Sequence, residues 1–350
     1  MTPHRPALHG NSAPTASGPR SIAKPYLVFL GDAAGAAEAK TGIGVHEWAG
    51  ADCLAEWRTG TIVTLGLPAM RPGEARAAGA RSLLIGVSPV GGALPDGWIP
   101  HLLDALEAGL DIVSGLHQRL SDHPVIGAAA RRLGRVLHDV RHADRAFTVA
   151  TGRKRAGKRV LTVGTDCALG KKYTALAVTR ALRGRGIDAD FRATGQTGIM
   201  IAGEGVAIDA VVADFIAGAA ESLSPAAPPG HWDVIEGQGA LFHPAYAGVT
   251  LGLLHGSQPD ALILCHDPRR RTTNWYPDYP VPGVEEAMAA YLPLARRTNP
   301  RARFVGISLN TGGMAEADAV QAAQALAPLG LPVCDPLRFG LEAVVDRLLA

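Results

Sequence analysis

Cysteine, aromatic residues, lysine and net charge are all scarce in this chain. The four cysteines of its 350 residues, Cys53, Cys167, Cys265 and Cys334, are far apart and form no C-x-x-C pair, which excludes a disulfide framework and a zinc site of the usual spacing. They fit a reducing compartment, so a cytoplasmic protein is expected. Aromatics make up 5% and hydrophobic residues 47%, with 42 glycines, a balance that suits close-packed α/β layers and not an all-β sandwich. No run reaches the roughly 18 apolar residues of a spanning helix. The Pro/Ser/Gly-rich start lacks the apolar core of a signal peptide, so no membrane partner is expected. A formal net charge of +2 without a basic stripe argues against nucleic acid and leaves a small molecule as the expected partner.

Lysine occurs only at 24, 40, 154, 158, 171 and 172, and the adjacent pair closes the most informative stretch of the chain. A β-branched run from Arg159 leads into Gly164-Thr-Asp-Cys-Ala-Leu-Gly170-Lys171, and apolar residues at helical spacing follow (Leu176, Val178, Leu182). That order reads as strand, phosphate loop and helix. Small residues let successive amides point into one concavity, the helix N-terminus adds partial positive charge, and lysine adds a full one.

The common phosphate loop has four residues between its glycines and Ser or Thr after Gly-Lys. Here five intervene and Lys172 stands at the hydroxyl position, so the usual Mg²⁺ ligand is missing. Thr174 lies two positions on, while Thr165 and Asp166 remain as donors from the other side of the loop. The spacing resembles the loop of dethiobiotin synthetase and its relatives. The alternative is a tight turn with solvated lysines. Cys167 is read either as a small loop residue or, with its pKa lowered by helix and lysines, as a thiolate nucleophile.

Two α/β domains are expected. Residues 1–24 read as a disordered leader, residues 25–150 as a Rossmann-like domain without G-x-G-x-x-G, and residues 151–350 as the domain carrying the loop, entered through a basic linker at 151–158. In the first, strands are predicted over residues 25–32, 61–65, 83–87, 111–114 and 147–150, with helices over 98–109 and 122–139. In the second, strands are predicted at 159–163, 188–193, 233–235, 261–267, 304–310 and 332–335, and a helix over 210–223 capped by Asp209. Alternating strands and helices imply doubly wound parallel sheets, whose strands end in one crevice.

Candidate chemistry gathers at those strand ends. Glu236 precedes Gly-Gln238-Gly and stands where related nucleotide-binding folds hold a metal, a water or a proton acceptor; with Asp166 it forms a carboxylate pair for general-base or metal work. Its bland reading is a structural partner of Lys171. His243 and Tyr246 serve as acid, base or substrate contact, or as packed loop residues. Arg269, Arg270 and Arg271 suit phosphate or carboxylate recognition, or form a solvated charge run. The aromatic, proline-rich residues 274–282 suit a cover for the site or an oligomer contact, so a homo-oligomer is expected. Arg192 and the turn at 194–198 face the same rim, and Asn310 suits a purine base.

Taken together, Gly-Thr-Asp-Cys-Ala-Leu-Gly-Lys, Ala-Thr-Gly-Gln-Thr-Gly-Ile-Met, Glu-Gly-Gln-Gly-Ala-Leu-Phe-His-Pro-Ala-Tyr, Gly-Leu-Leu-His-Gly-Ser-Gln-Pro-Asp and Ile-Ser-Leu-Asn-Thr resemble a two-domain family long carried as a domain of unknown function, whose named activity is D-glutamate N-acetyltransferase. The resemblance spans roughly residues 25–349. It implies a Rossmann-like first domain, a P-loop second domain, acetyl-CoA as donor, an acidic D-amino acid as acceptor and a place in D-amino acid metabolism. A loop without its Mg²⁺ hydroxyl agrees, because it suits binding a pyrophosphate better than cleaving a β,γ bond; no Mg²⁺ is required on this reading. The chemical reading then assigns catalysis to Glu236, His243 and Asp166. The donor falls to Gly164, Thr165, Cys167, Ala168, Leu169, Gly170, Lys171, Lys172, Tyr173, Arg269, Arg270 and Asn310. The acceptor falls to Arg192, Thr194, Gln196, Thr197, Gln238, Tyr246 and Arg271. An ATP-dependent ligase or kinase of the dethiobiotin-synthetase type, and a nucleotide-binding sensor, are the alternatives.

Overall fold

The structure, a computed structural model, describes residues 21–143 and 145–350. The leader expected at 1–24 lies outside the described residues up to Arg20. Residues 21–24 are anchored: Ile22 is buried and its amide meets Gly203 O at 2.7 Å, while Lys24 Nζ reaches Asp52 at 2.8 Å and Ile201 O at 2.7 Å.

The first domain alternates β1 (Tyr26–Gly31), α1 (Lys40–Ala49), β2 (Cys53–Arg58), α2 (Pro72–Ala77), β3 (Ser82–Ile85), α3 (Ile99–Glu107), β4 (Asp111–Ser114), α4 (Pro124–Leu133) and β5 (Leu137–Asp139). Its parallel sheet has the order β2-β1-β3-β4-β5. Every residue of Tyr-Leu-Val-Phe-Leu-Gly in β1 is buried, as a central strand covered on both faces requires.

Several sequence expectations are corrected here. The second strand is β2 and not residues 61–65, which form a loop around the fully buried Glu56 carboxylate; Thr64 Oγ1 donates to it at 2.7 Å and the Leu65 amide at 2.6 Å. The β-propensity of that loop is overridden by the need to satisfy a buried charge, and Ile62 is left 93% exposed. The helix expected over 122–139 stops at Leu133, because Gly134 takes a left-handed φ of 64° and frees the chain to form β5. Residues 147–150 join no sheet. The Thr148 carbonyl instead lies so close to Gly218 that a Cβ there would meet it at 1.8 Å.

The second domain runs β6 (Lys158–Gly164), α5 (Lys171–Gly184), β7 (Ala189–Arg192), α6 (Gln196–Ala202), α7 (Ile216–Leu223), β8 (Trp232–Ile235), α8 (Ala247–Ser257), β9 (Ala261–His266), a hairpin of β10 (Thr272–Thr273) and β11 (Tyr276–Pro280), α9 (Val284–Arg296), β12 (Arg303–Leu309), α10 (Glu316–Ala325), β13 (Val333–Cys334) and α11 (Glu342–Leu349). Its parallel sheet has the order β13-β12-β9-β6-β8-β7. The turn expected at 194–198 is cut short by α6, which begins at Gln196. Asp209 sits within a 3-10 turn and caps no helix, since α7 starts only at Ile216. The antiparallel hairpin, within the stretch read as an aromatic cover, carries Trp275 at φ 66° and 70% exposed.

The domains share a core. Ile199, Met200 and Ile201 of α6 pack into the first domain's cluster, and Tyr26 Oη donates to Met200 O at 2.8 Å. Among the described residues no helix is long and apolar enough to cross a membrane.

Candidate active site

With β6 inside the sheet between β9 and β8, the loop after it opens at the carboxyl ends of the strands. Two devices turn its amides outward. Ala168 adopts a left-handed φ of 51° and Gly170 one of 108°, while Cys167 and Leu169 have no positive φ, an alternation of the kind a nest uses. Arg270 draws the carbonyls the other way, donating to Cys167 O and to Ala168 O at 3.3 Å. The amides of Leu169, Gly170, Lys171 and Lys172 meet no acceptor among the described residues, and no side chain caps α5. They border a cavity of about 590 Å³. The arrangement suits a pyrophosphate, with backbone N–H groups and the α5 N-terminus supplying positive potential.

The donor positions proposed from sequence divide between this cradle and its support. Cys167, Ala168, Leu169, Gly170, Lys171, Lys172, Tyr173 and Asn310 line the cavity. Gly164 lies beneath, its carbonyl accepting from Tyr291 Oη at 2.9 Å, and Thr165 Oγ1 pairs with His266 Nδ1 at 3.0 Å. Thr174 points into the sheet, at 2.8 Å from Ser308 Oγ. Lys171 Nζ meets Asp166 O at 2.7 Å, and burial pushes its amine below the usual lysine range. Burial likewise pushes the Cys167 thiol up, against the pull of Lys171, so it is held as a thiol and not as a thiolate nucleophile. Arg269 forms a 3.0 Å pair with Asp267, and Arg271 is exposed; neither lines the cavity.

Asp166 is fully buried and its carboxylate is consumed: Arg270 at 2.8 Å, the Asn274 amide at 2.8 Å and the Cys167 amide at 2.7 Å. His243 is also buried. Its Nδ1 accepts from the Ala245 amide at 3.1 Å, so Nε2 carries the proton and donates to Asn274 O at 3.2 Å. Asp166, Cys167 and His243 bring donor atoms within 4.8 Å of one another, but hydrogen bonds already use the carboxylate and both ring nitrogens. Asp190, His231 and Asp233 are equally close, and there Arg192 fills the cation's place, 2.6 Å from Asp233 and 3.2 Å from Asp190. Arg192 is thereby held away from the cavity.

Of the two carboxylates proposed for catalysis, Glu236 is the one that reaches the cavity. It leaves β8 directly, and Oε2 accepts from the amides of Thr194 at 2.9 Å and Gly195 at 3.1 Å. The Thr194 hydroxyl closes the contact on Glu236 O at 2.7 Å. A Cβ on Gly198 would stand 2.3 Å from the same Oε2, which is why the Gly-Gln-Thr-Gly segment must carry glycine there. Burial raises the carboxyl above the ordinary carboxylate range, opposed by the Thr194 amide and by Lys172. Gln196, Thr197, Gln238 and Tyr246 line the same space.

The first domain leans over this site through α1. Glu47 accepts from Tyr173 Oη at 2.9 Å, and burial with that bond lifts the phenol to about 12. Among the described lining residues with charged or aromatic side chains, three escape the sequence reading as site residues. Trp275 was seen only as part of a cover, Asp209 only as a helix cap, and Arg141 belonged to no motif.

Residues 148–345 match the family described as a domain of unknown function (DUF1611_C) P-loop domain, and residues 53–143 match a domain of unknown function (DUF1611_N) Rossmann-like domain. Two proteins named D-glutamate N-acetyltransferase are similar along nearly their whole length. The one from Tritonibacter scottomollicae is 49% identical over 331 residues, 94% of this chain and 99% of the relative. The one from a Pseudoalteromonas species is 44% identical over 329 residues, 93% and 99% respectively. The crystal structure of a DUF1611 family protein from Anabaena variabilis superposes with a TM-score of 0.81 at 34% identity, covering 93% of this chain and 99% of that one.

Proposed function

The chain belongs to the DUF1611 family, and from that premise we propose that it is a D-glutamate N-acetyltransferase using acetyl-CoA as its donor. The observation that carries this reading is the 49% identity to a relative of that name over 99% of the relative's length. The phosphate cradle without a magnesium hydroxyl supports it, and nothing in the relatives' names supports the ATP-dependent ligase, kinase or sensor alternatives.

On this proposal the CoA pyrophosphate lies against the Leu169 to Lys172 amides with Lys171 beside it. The adenine enters the adjoining hollow of about 270 Å³ at the ends of β12 and β13, bordered by Asn310 and Leu337. The pantetheine arm then carries the thioester into the larger cavity toward Glu236. The neutral amine of D-glutamate attacks the thioester carbon, a C–N bond forms, the C–S bond breaks, and the amine proton passes to Glu236 and on to the departing thiolate. The raised carboxyl suits that role, since a base is most effective with a pKa closer to the working pH. Buried free cysteines support a cytoplasmic enzyme, and the exposed Trp275 and Tyr279 of the hairpin support a homo-oligomer.

The test is free-thiol release from acetyl-CoA with D-glutamate as acceptor, and the mass of the N-acetylated product. No release across a panel of amino acids discards the reading.

A further inference from the structure

Among the described residues, Arg141 is the one from the first domain that lines the 590 Å³ cavity. Among the described residues, the cavity's charged lining is Arg141, Lys171, Lys172, Asp209 and Glu236. Two of the three cations have work already. Lys171 is tied to Asp166 O beneath the phosphate cradle, and Lys172 stands in the fields of Glu236 and Glu47. Among the described residues Arg141 makes one hydrogen bond, Nε donating to Gly115 O at 3.1 Å. Its two terminal nitrogens meet no acceptor and form no ion pair among the described residues.

The arm that carries it is fixed on both sides. Val140 joins β4 through Ser114 O at 2.9 Å, and Gly115 lies so close to α6 that a Cβ there would stand 3.2 Å from Met200 and 3.4 Å from Gln196, itself a lining residue. Arg141 and Asp209 both border the cavity, and both act electrostatically on His117, in opposite senses. A half-buried guanidinium whose fork meets no acceptor among the described residues, anchored through Nε and bordering a cavity, matches a carboxylate in shape and charge. An acidic amino acid brings two carboxylates into a space where Glu236 and Asp209 repel them, so it needs a cation that the donor's phosphates leave unclaimed.

We propose that Arg141 binds a carboxylate of the acceptor, and that the first domain thereby sets the preference for an acidic amino acid. This rests on the acetyltransferase reading above. Asp209, which also borders the cavity, is placed to meet the acceptor's ammonium before that ammonium gives one proton to solvent and attacks as the neutral amine.

The experiment compares wild type, Arg141→Gln and Arg141→Lys by thiol release, with D-glutamate and its neutral isostere D-glutamine as acceptors and acetyl-CoA varied separately. In Arg141→Gln the KM for D-glutamate is expected to rise roughly tenfold to a hundredfold, the loss of a charge-assisted pair. The ratio of kcat/KM for D-glutamate over D-glutamine falls with it, the KM for acetyl-CoA is unmoved, and Arg141→Lys recovers part of the preference. Should Arg141→Gln unfold, Arg141→Lys carries the test alone, with a lowered but measurable D-glutamate preference as the supporting result. A wild-type enzyme that transfers acetyl while both variants keep its KM and its selectivity overturns the Arg141 assignment alone. A wild type that releases no thiol with any acceptor overturns the acetyltransferase reading beneath it.

Discussion

Glu236→Gln isolates the proton-accepting step. Glutamine has the carboxylate's shape, and its amide oxygen can take over the 2.9 Å and 3.1 Å bonds from the Thr194 and Gly195 amides, so the substitution removes the charge and the basic site while keeping the packing. The closeness of Gly198 leaves no room for the side chain to move elsewhere. A positioned general base contributes about 10²–10⁴-fold, so kcat for acetyl transfer should fall by that factor. The KM for acetyl-CoA should hold, because the cradle amides are untouched. The pH profile carries a second, independent signature. Only the ionised carboxyl accepts a proton, and burial has raised its pKa, so wild-type activity falls with decreasing pH through a midpoint above the ordinary glutamate value of about 4.3. That acid limb is absent from the variant. Stability moves the other way: a group with a raised folded pKa stabilises the native state below its unfolded pKa and loses that contribution as pH rises. Removing the buried charge should therefore leave the melting temperature at pH 7 unchanged or higher. Steady-state kinetics with calorimetric melting read all three. A variant with near-wild-type kcat, or one that keeps the acid limb, would refute the assignment of Glu236 as base.

Lys171→Ala should weaken acetyl-CoA binding by about 1.5–3 kcal/mol, the usual worth of a charged hydrogen-bond partner, as titration calorimetry would register; unchanged donor affinity would remove the loop from the site. Gly198→Ala improves helix propensity by up to ~1 kcal/mol, yet its new Cβ at 2.3 Å from Glu236 must displace that carboxylate. Activity should collapse and the melting temperature drop by the equivalent of about 1–3 kcal/mol of overpacking, and an active, more stable variant would contradict the geometry. With Lys172 at the hydroxyl position and the oxygens of Thr165 and Asp166 already engaged, dialysis against EDTA should leave the rate of acetyl transfer intact.

The phosphate loop was legible because its information is local. Small residues between Gly164 and Lys171 permit the φ values that aim the amides, and the lysine that replaces a hydroxyl is read directly from the order of residues. Buried strands such as β1 were legible for a similar reason, being apolar throughout. Local patterns misled where a tertiary partner outweighed them: residues 61–65 have strand propensity but serve the Glu56 carboxylate. The arginines after β9 form a run that suits a ligand, yet Arg269 turns to Asp267 and Arg270 to the carbonyls of the phosphate loop. By itself the chain's order of residues determined two α/β layers and an anion cradle, since backbone direction over a few residues depends on those residues alone. Which charges face that cradle was decided only by the packing of two sheets through α6, which brings Arg141 and Asp209, 68 positions apart in sequence, into the lining of one cavity with Glu236.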